Sequence, residues 1–206
     1  MTHAETLPLT ASSLTAVLFG LSGCLVDFGA RARQQTIALP EYAEATPGAL
    51  DSLQSLQRQH IPCAWLDELP PALAQPLSAS LPAWIKPAQH SATNNPWPAP
   101  NACWQALMDL NVSSLDGCVL VSGEPRLLQA GLNAGLWTIG LASCGSLCGL
   151  APAEWQALSQ KEREQLRGKA TMQLFALGVH SVIDHLGELG TCLADINLRR
   201  LKGEKP

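Results

Sequence analysis

At 206 residues, with 47% hydrophobic and only 15% charged side chains, the chain is long enough to bury one sizeable core, and a single domain is the default expectation. A net charge of −4 with 13 Lys and Arg, clustered nowhere except the tail Arg199, Arg200, Lys202 and Lys205, excludes the basic stripe expected of a nucleic-acid-binding protein. No apolar run is long enough for a transmembrane helix, and seven cysteines without regular spacing predict free thiols in a reducing, cytoplasmic setting.

In chain order, residues 1–13 read as a loose leader and 14–206 as one core domain. Leu14 to Asp27, LTAVLFGLSGCLVD, begins as an uncharged β-prone run, breaks at Gly20 and meets a second glycine at Gly23. A strand over 14–19 feeding a small-residue loop is how open α/β sheets place a site at a strand's carboxyl end. That loop carries Gly20, Ser22 and Cys24. Leu21-Ser22-Gly23-Cys24 also resembles a bacterial lipobox, so a lipid anchor through Cys24 is one alternative; residues 1–13 lack the Lys or Arg of a signal-peptide n-region.

Phe28 to Ala45 is weakly patterned. Thr46-Pro47-Gly48 predicts a helix start, with Thr46 as N-cap and apolar positions at Leu50, Leu53 and Leu56. Strands are expected at 61–65 and 83–85, with a helix over 73–81 between them. His90 to Pro100 reads as a loop and 101–110 as a helix. A buried strand over 118–121 ends in Ser122-Gly123-Glu124; a helix over 127–134 and a strand over 136–141 follow. Pro152 opens a short helix, and Ser159 to Glu162 is a capping box for a longer one towards Leu177. Val182-Ile183 is a brief strand, and a helix from about Cys192 to Leu201 ends in cations that suit its C-terminal dipole. Alternating strands and helices with short loops predict a doubly wound, Rossmann-like parallel sheet. Cys144 and Cys148 lack a paired His/Cys element, which favours free thiols over zinc.

VLFGLSGCLVDFG, followed by PGALDSLQSLQRQHI, WPAP, GLNAGLWTIG, GLAPAEWQALS, GVHSVID and DINLRRLKGEKP, resembles in order the segments of phosphonoacetaldehyde hydrolase, a member of the haloacid dehalogenase superfamily. The resemblance spans roughly Leu14 to Pro206. It implies the haloacid dehalogenase type of parallel sheet and, by position, a site with its chemistry removed. The family aspartate that attacks phosphorus corresponds to Gly20. The family's hydroxyl-bearing second motif corresponds to Ala64-Trp65-Leu66, with Leu66 at its end. Trp97, in Pro96-Trp97-Pro98-Ala99-Pro100, stands where the family has arginine, and Ser122-Gly123 stand where it has magnesium-binding carboxylates. Only 19 residues separate Asp27 from Pro47, so the family's helical cap and its Schiff-base lysine are expected to be absent.

Phosphoryl transfer needs a nucleophile, charge neutralisation and positioning. With all of these replaced, the expectation is no catalytic residues, no metal and a lost magnesium site: a pseudoenzyme acting as a binding or interaction module. A rewired metal-dependent hydrolase using Glu124, Asp67 or Asp27 is the alternative. Ser22 has no visible triad partners, Cys24 reads as a packed thiol, and His180 and His185 read as structural. Trp65 and Trp97, with Asp67 and Glu124, are the candidate binding residues. The two indoles are expected to share a depression with Gly20 and Ser122, closed by their own packing, by an apolar small molecule, or by a protein partner such as a second copy.

Overall fold

The computed structural model describes residues 14–34, 40–88 and 95–206. The leader 1–13 and part of the 90–100 loop lie outside the described residues. Six parallel strands form one sheet: β1 (Ala16–Gly20), β2 (Cys63–Leu66), β3 (Lys86–Pro87), β4 (Cys118–Ser122), β5 (Trp137–Leu141) and β6 (Ser181–Ile183), in the order β3-β2-β1-β4-β5-β6. The helices are α1 (Ala49–Arg58), α2 (Pro71–Leu77), α3 (Asn101–Asp109), α4 (Pro125–Asn133), α5 (Pro152–Ala157), α6 (Gln160–Ala176) and α7 (Leu189–Leu201).

β1, β4 and β5 are buried at every position, which is why they read as continuous apolar runs rather than alternating ones. Alternate residues still serve opposite faces. Val17, Phe19, Val119, Val121 and Ile139 pack with Leu53 of α1 and Leu193 and Ile196 of α7. Ala16, Leu18, Leu120 and Leu66 pack with Cys103 and Leu107 of α3 and Leu127 of α4. Leu174 of α6 closes a third cluster with Leu128 and Ala142.

Three sequence expectations need correction. The third strand lies at Lys86–Pro87, not 83–85, because Pro82 to Ile85 forms a turn that drops Ile85 into the core; proline is tolerated in β3 because it is the sheet's edge strand. Thr46 does not cap α1. It is buried, donating its hydroxyl to the Cys24 carbonyl and its N–H to the Leu25 carbonyl, while Gly48 turns the chain at φ 79° before α1 begins. α7 begins at Leu189, three residues earlier than expected, after a 3-10 turn at Leu186–Glu188. Ser159 does cap α6, accepting from Glu162 N–H while the Glu162 carboxylate accepts from Ser159.

Between β1 and α1 the described residues hold only two 3-10 turns, Arg31–Gln34 and Pro40–Ala43. No helix among the described residues is long and apolar enough to cross a membrane.

Candidate functional site

The connection from β1 runs to β2 on one side, and β4 returns to the other side of β1. The strand order therefore reverses between β1 and β4, and ligands of open α/β sheets bind at the carboxyl end of such a switch point. Gly20 ends β1 there and Ser122 ends β4. A Cβ on Gly20 would lie 2.7 Å from Ser122 Oγ and 3.4 Å from Leu127 Cδ2, so the serine hydroxyl fills the space that a side chain at position 20 would need. Ser122 is fully buried and its Oγ accepts from Glu124 N–H at 3.0 Å. A Cβ on Gly123 would fall 2.3 Å from the Gly23 carbonyl oxygen and 2.4 Å from Gly145 Cα. The loops after β1, β4 and β5 close on one another at this glycine.

A charged lattice covers this end of the sheet. Asp67, the residue after β2, is 2% exposed; it accepts from Ser22 N–H and Leu69 N–H, both at 3.0 Å, and from Arg33 at 2.9 Å. Arg33 also faces Glu124 Oε2 at 3.7 Å, and its guanidinium carbon lies 5.4 Å from the Trp97 ring centroid. Its planar cation thus spans from the end of β2 to the end of β4, across β1. Glu68 accepts from Trp97 N–H at 2.6 Å and pairs with Arg126 at 3.1 Å, and Arg126 donates to the Trp97 carbonyl. Glu124 N-caps α4 by accepting from Arg126 N–H.

Asp27 sits at φ 56° with a buried carboxylate that accepts from Ser22 Oγ at 2.5 Å and from Arg31 and Ala32 N–H at 3.0 Å each. It fastens the loop after β1 to the following 3-10 turn. Burial is the strongest influence on Asp27 and pushes its pKa above the ordinary 3.8, with the Ser22 and backbone hydrogen bonds pulling the other way. A raised native pKa means that the folded state holds the proton more tightly. The stability contributed is present below the ordinary carboxyl range and is lost as pH rises through the raised value. Asp27→Asn, which tolerates the left-handed backbone, should therefore flatten the decline in stability as pH rises above the ordinary carboxyl range. Urea titrations of both proteins across that rise check this; a steeper decline in the variant contradicts it.

The fold brings Gly20, Ser22, Asp67, Trp97, Ser122 and Glu124 to one edge of the sheet. It does not bring Trp65 there. Trp65 packs in the cluster with Phe19 and Leu77, whereas Trp97 packs in the other cluster with Leu18 and Ala102, on the opposite face. At 7% and 3% exposure, both indoles are covered by their own chain. The expected shared depression does not form, because Trp65 on β2 packs on one face of the sheet and Trp97, in the segment leading into α3, packs on the other. Leu66 and Gly123 are likewise packed. Cys24 is fully buried, its thiol against the Val121 carbonyl at 3.4 Å, and burial beside Cys144 pushes its pKa well up. Processing at Cys24, which a lipid anchor there needs, would remove β1 and expose a core thiol. Among the described residues no group of three His, Cys, Asp or Glu is placed to hold a metal ion. His180 Nδ1 lies 3.0 Å from Thr138 N and Oγ1, and His185 Nδ1 accepts from Gly187 N–H.

Arg33 and Arg126 are site residues that sequence reading passed over. The available signal was that Arg31 and Arg33 are rare charges in a segment with no helical or strand period.

No family model matches the chain. A phosphonoacetaldehyde hydrolase from Klebsiella pneumoniae is 36% identical over 60% of this chain and 45% of its own length. Another from Aeromonas hydrophila is 31% identical over 84% of this chain and 63% of its own. The chain thus spans about half to two-thirds of the length of these curated relatives. One solved structure is 63% identical, covering 94% of this chain and 100% of its own at a TM-score of 0.92. A structure described as a phosphonoacetaldehyde hydrolase-like protein from Oleispira antarctica shares the fold at a TM-score of 0.84 and 22% identity, with 100% of each chain covered.

Proposed function

Because this chain belongs to the phosphonatase-like branch of the haloacid dehalogenase superfamily, whose curated relatives are hydrolases, we propose that it is a pseudoenzyme of that branch, acting as a non-catalytic binding or interaction module. The observation that carries the reading is the packing at the switch point. Ser122 Oγ stands where a side chain at position 20 would project, and the Arg33 guanidinium bridges Asp67 and Glu124 above it.

The same arrangement supports loss of the magnesium site. The carboxylates nearest the end of β1 are turned towards a fixed internal cation and backbone N–H groups, so a divalent ion would have to displace Arg33 before it gained a ligand. The residues present do not fit the metal. With neither nucleophile nor metal, the two largest contributions to phosphoryl transfer have no carrier.

The purified chain is expected to release no phosphate from phosphonoacetaldehyde or a phosphate monoester above background with magnesium in excess, and magnesium should leave its melting temperature unchanged. Turnover that survives purification and disappears in Asp67→Asn or Glu124→Gln would instead establish a rewired metal-dependent hydrolase.

A further inference from the structure

A cleft of about 600 Å³ lies beside the sealed edge, above the carboxyl ends of β5 and β6, between the segment leading into α1 and helices α5 and α6. Its volume is that of a small-molecule site. One wall is made by Phe28 and Trp155, both half-buried, with ring centroids 6.1 Å apart and planes inclined at 54°.

That wall is built to hold its shape. Gly29 donates its N–H to the Cys144 carbonyl at 2.8 Å and takes φ +86°, and a Cβ there would fall 2.2 Å from the Leu150 carbonyl oxygen. Arg31 donates to the Gly149 carbonyl at 3.2 Å and pairs with Glu154 at 2.9 Å. The segment around Phe28 is thereby tied to the segment around Trp155, which limits the ordering cost of binding.

The cleft's charges are divided between its walls. Arg163 and Arg167 lie four residues apart on α6, hence on one face. Arg167 is taken by Asp184 at 2.5 Å, and the Glu164 carboxylate on the same helix accepts from Gln160 at 2.8 Å. Arg163 differs: its Nε is buried with no hydrogen-bond partner, a donor without an acceptor. On the facing segment, Glu41 and Glu44 line the cleft with no ion-pair partner among the described residues.

We propose that this cleft binds a small zwitterion with an apolar body, an amino acid with an apolar side chain being the simplest form. The anionic head is received by Arg163, the ammonium by Glu41 or Glu44, and the body by the Phe28–Trp155 wall. The proposal names a ligand for the binding role argued above, yet none of these residues belongs to the sealed edge of β1 and β4.

The test is calorimetric titration of the intact chain with L-phenylalanine, and with phenylacetate and phenethylamine as its two half-charged counterparts. L-Phenylalanine is expected to bind, with each counterpart at least about tenfold weaker, and Arg163→Met and Trp155→Ala should each weaken binding about tenfold or more. Far-UV circular dichroism identical to wild type shows that the variants are folded. No binding of L-phenylalanine up to its solubility, a counterpart that binds as tightly, or variants that bind unchanged would overturn the proposal. Phosphate release is measured on the same preparation. Turnover there would overturn the pseudoenzyme reading alone, and absent binding would overturn this site alone.

Discussion

Replacing Arg33 by methionine is expected to destabilise the protein by about 3 kcal/mol, the low end of the cost of stripping one partner from a buried ion pair. The lower end applies because the Arg33 side chain is 21% exposed while that of Asp67 is 1% exposed. Methionine keeps the apolar stem, so the change isolates the charge. Without the guanidinium, the Asp67 carboxylate retains only backbone donors such as Ser22 and Leu69 N–H in a setting where burial already pushes its pKa up. The double variant Arg33→Met/Asp67→Asn should recover most of the loss, since neither group is then left charged and buried. The penalty of the single variant should also shrink as pH falls and Asp67 takes a proton. For a chain of this size the single variant should melt roughly 6–12 °C lower. A shift within the scatter of ordinary surface substitutions, or a double variant no better than the single, would mean that the bridge contributes nothing.

Gly20→Asp puts a carboxylate at the end of β1, and it is expected to harm the fold without producing an enzyme. Its Cβ alone would meet Ser122 Oγ at 2.7 Å, a hydroxyl already engaged by Glu124 N–H at 3.0 Å. Overpacking and a newly buried charge together should cost about 2–4 kcal/mol. Ser122→Gly in the same chain removes the clash and should return part of that stability, which denaturant titration measures. Phosphate release should stay at background in both variants, because Arg33 still lies between Asp67 and Glu124. A stable, active Gly20→Asp protein would show that a single residue separates this chain from its hydrolytic relatives.

The chain's sequence alone determined the layers of this fold. β1, β4 and β5 are legible because strands covered on both faces must be apolar throughout, and α6 is legible because the Ser159–Glu162 capping box is a local chemical signal. That Gly20 leaves the end of β1 without a side chain was legible too, since a missing side chain needs no coordinates. Tertiary structure alone decided what fills that vacancy. Ser122 reaches it from a strand about a hundred residues later in the chain, while Arg33 reaches Asp67 and Glu124 from a turn whose sequence has no period. Tertiary structure also sent Trp65 and Trp97 to opposite faces of the sheet, which their positions in matched motifs did not reveal. The division has one physical cause. Periodicity and capping are properties of neighbours along the chain, whereas the occupant of a buried space is set by which distant side chain arrives there with a hydrogen bond to make.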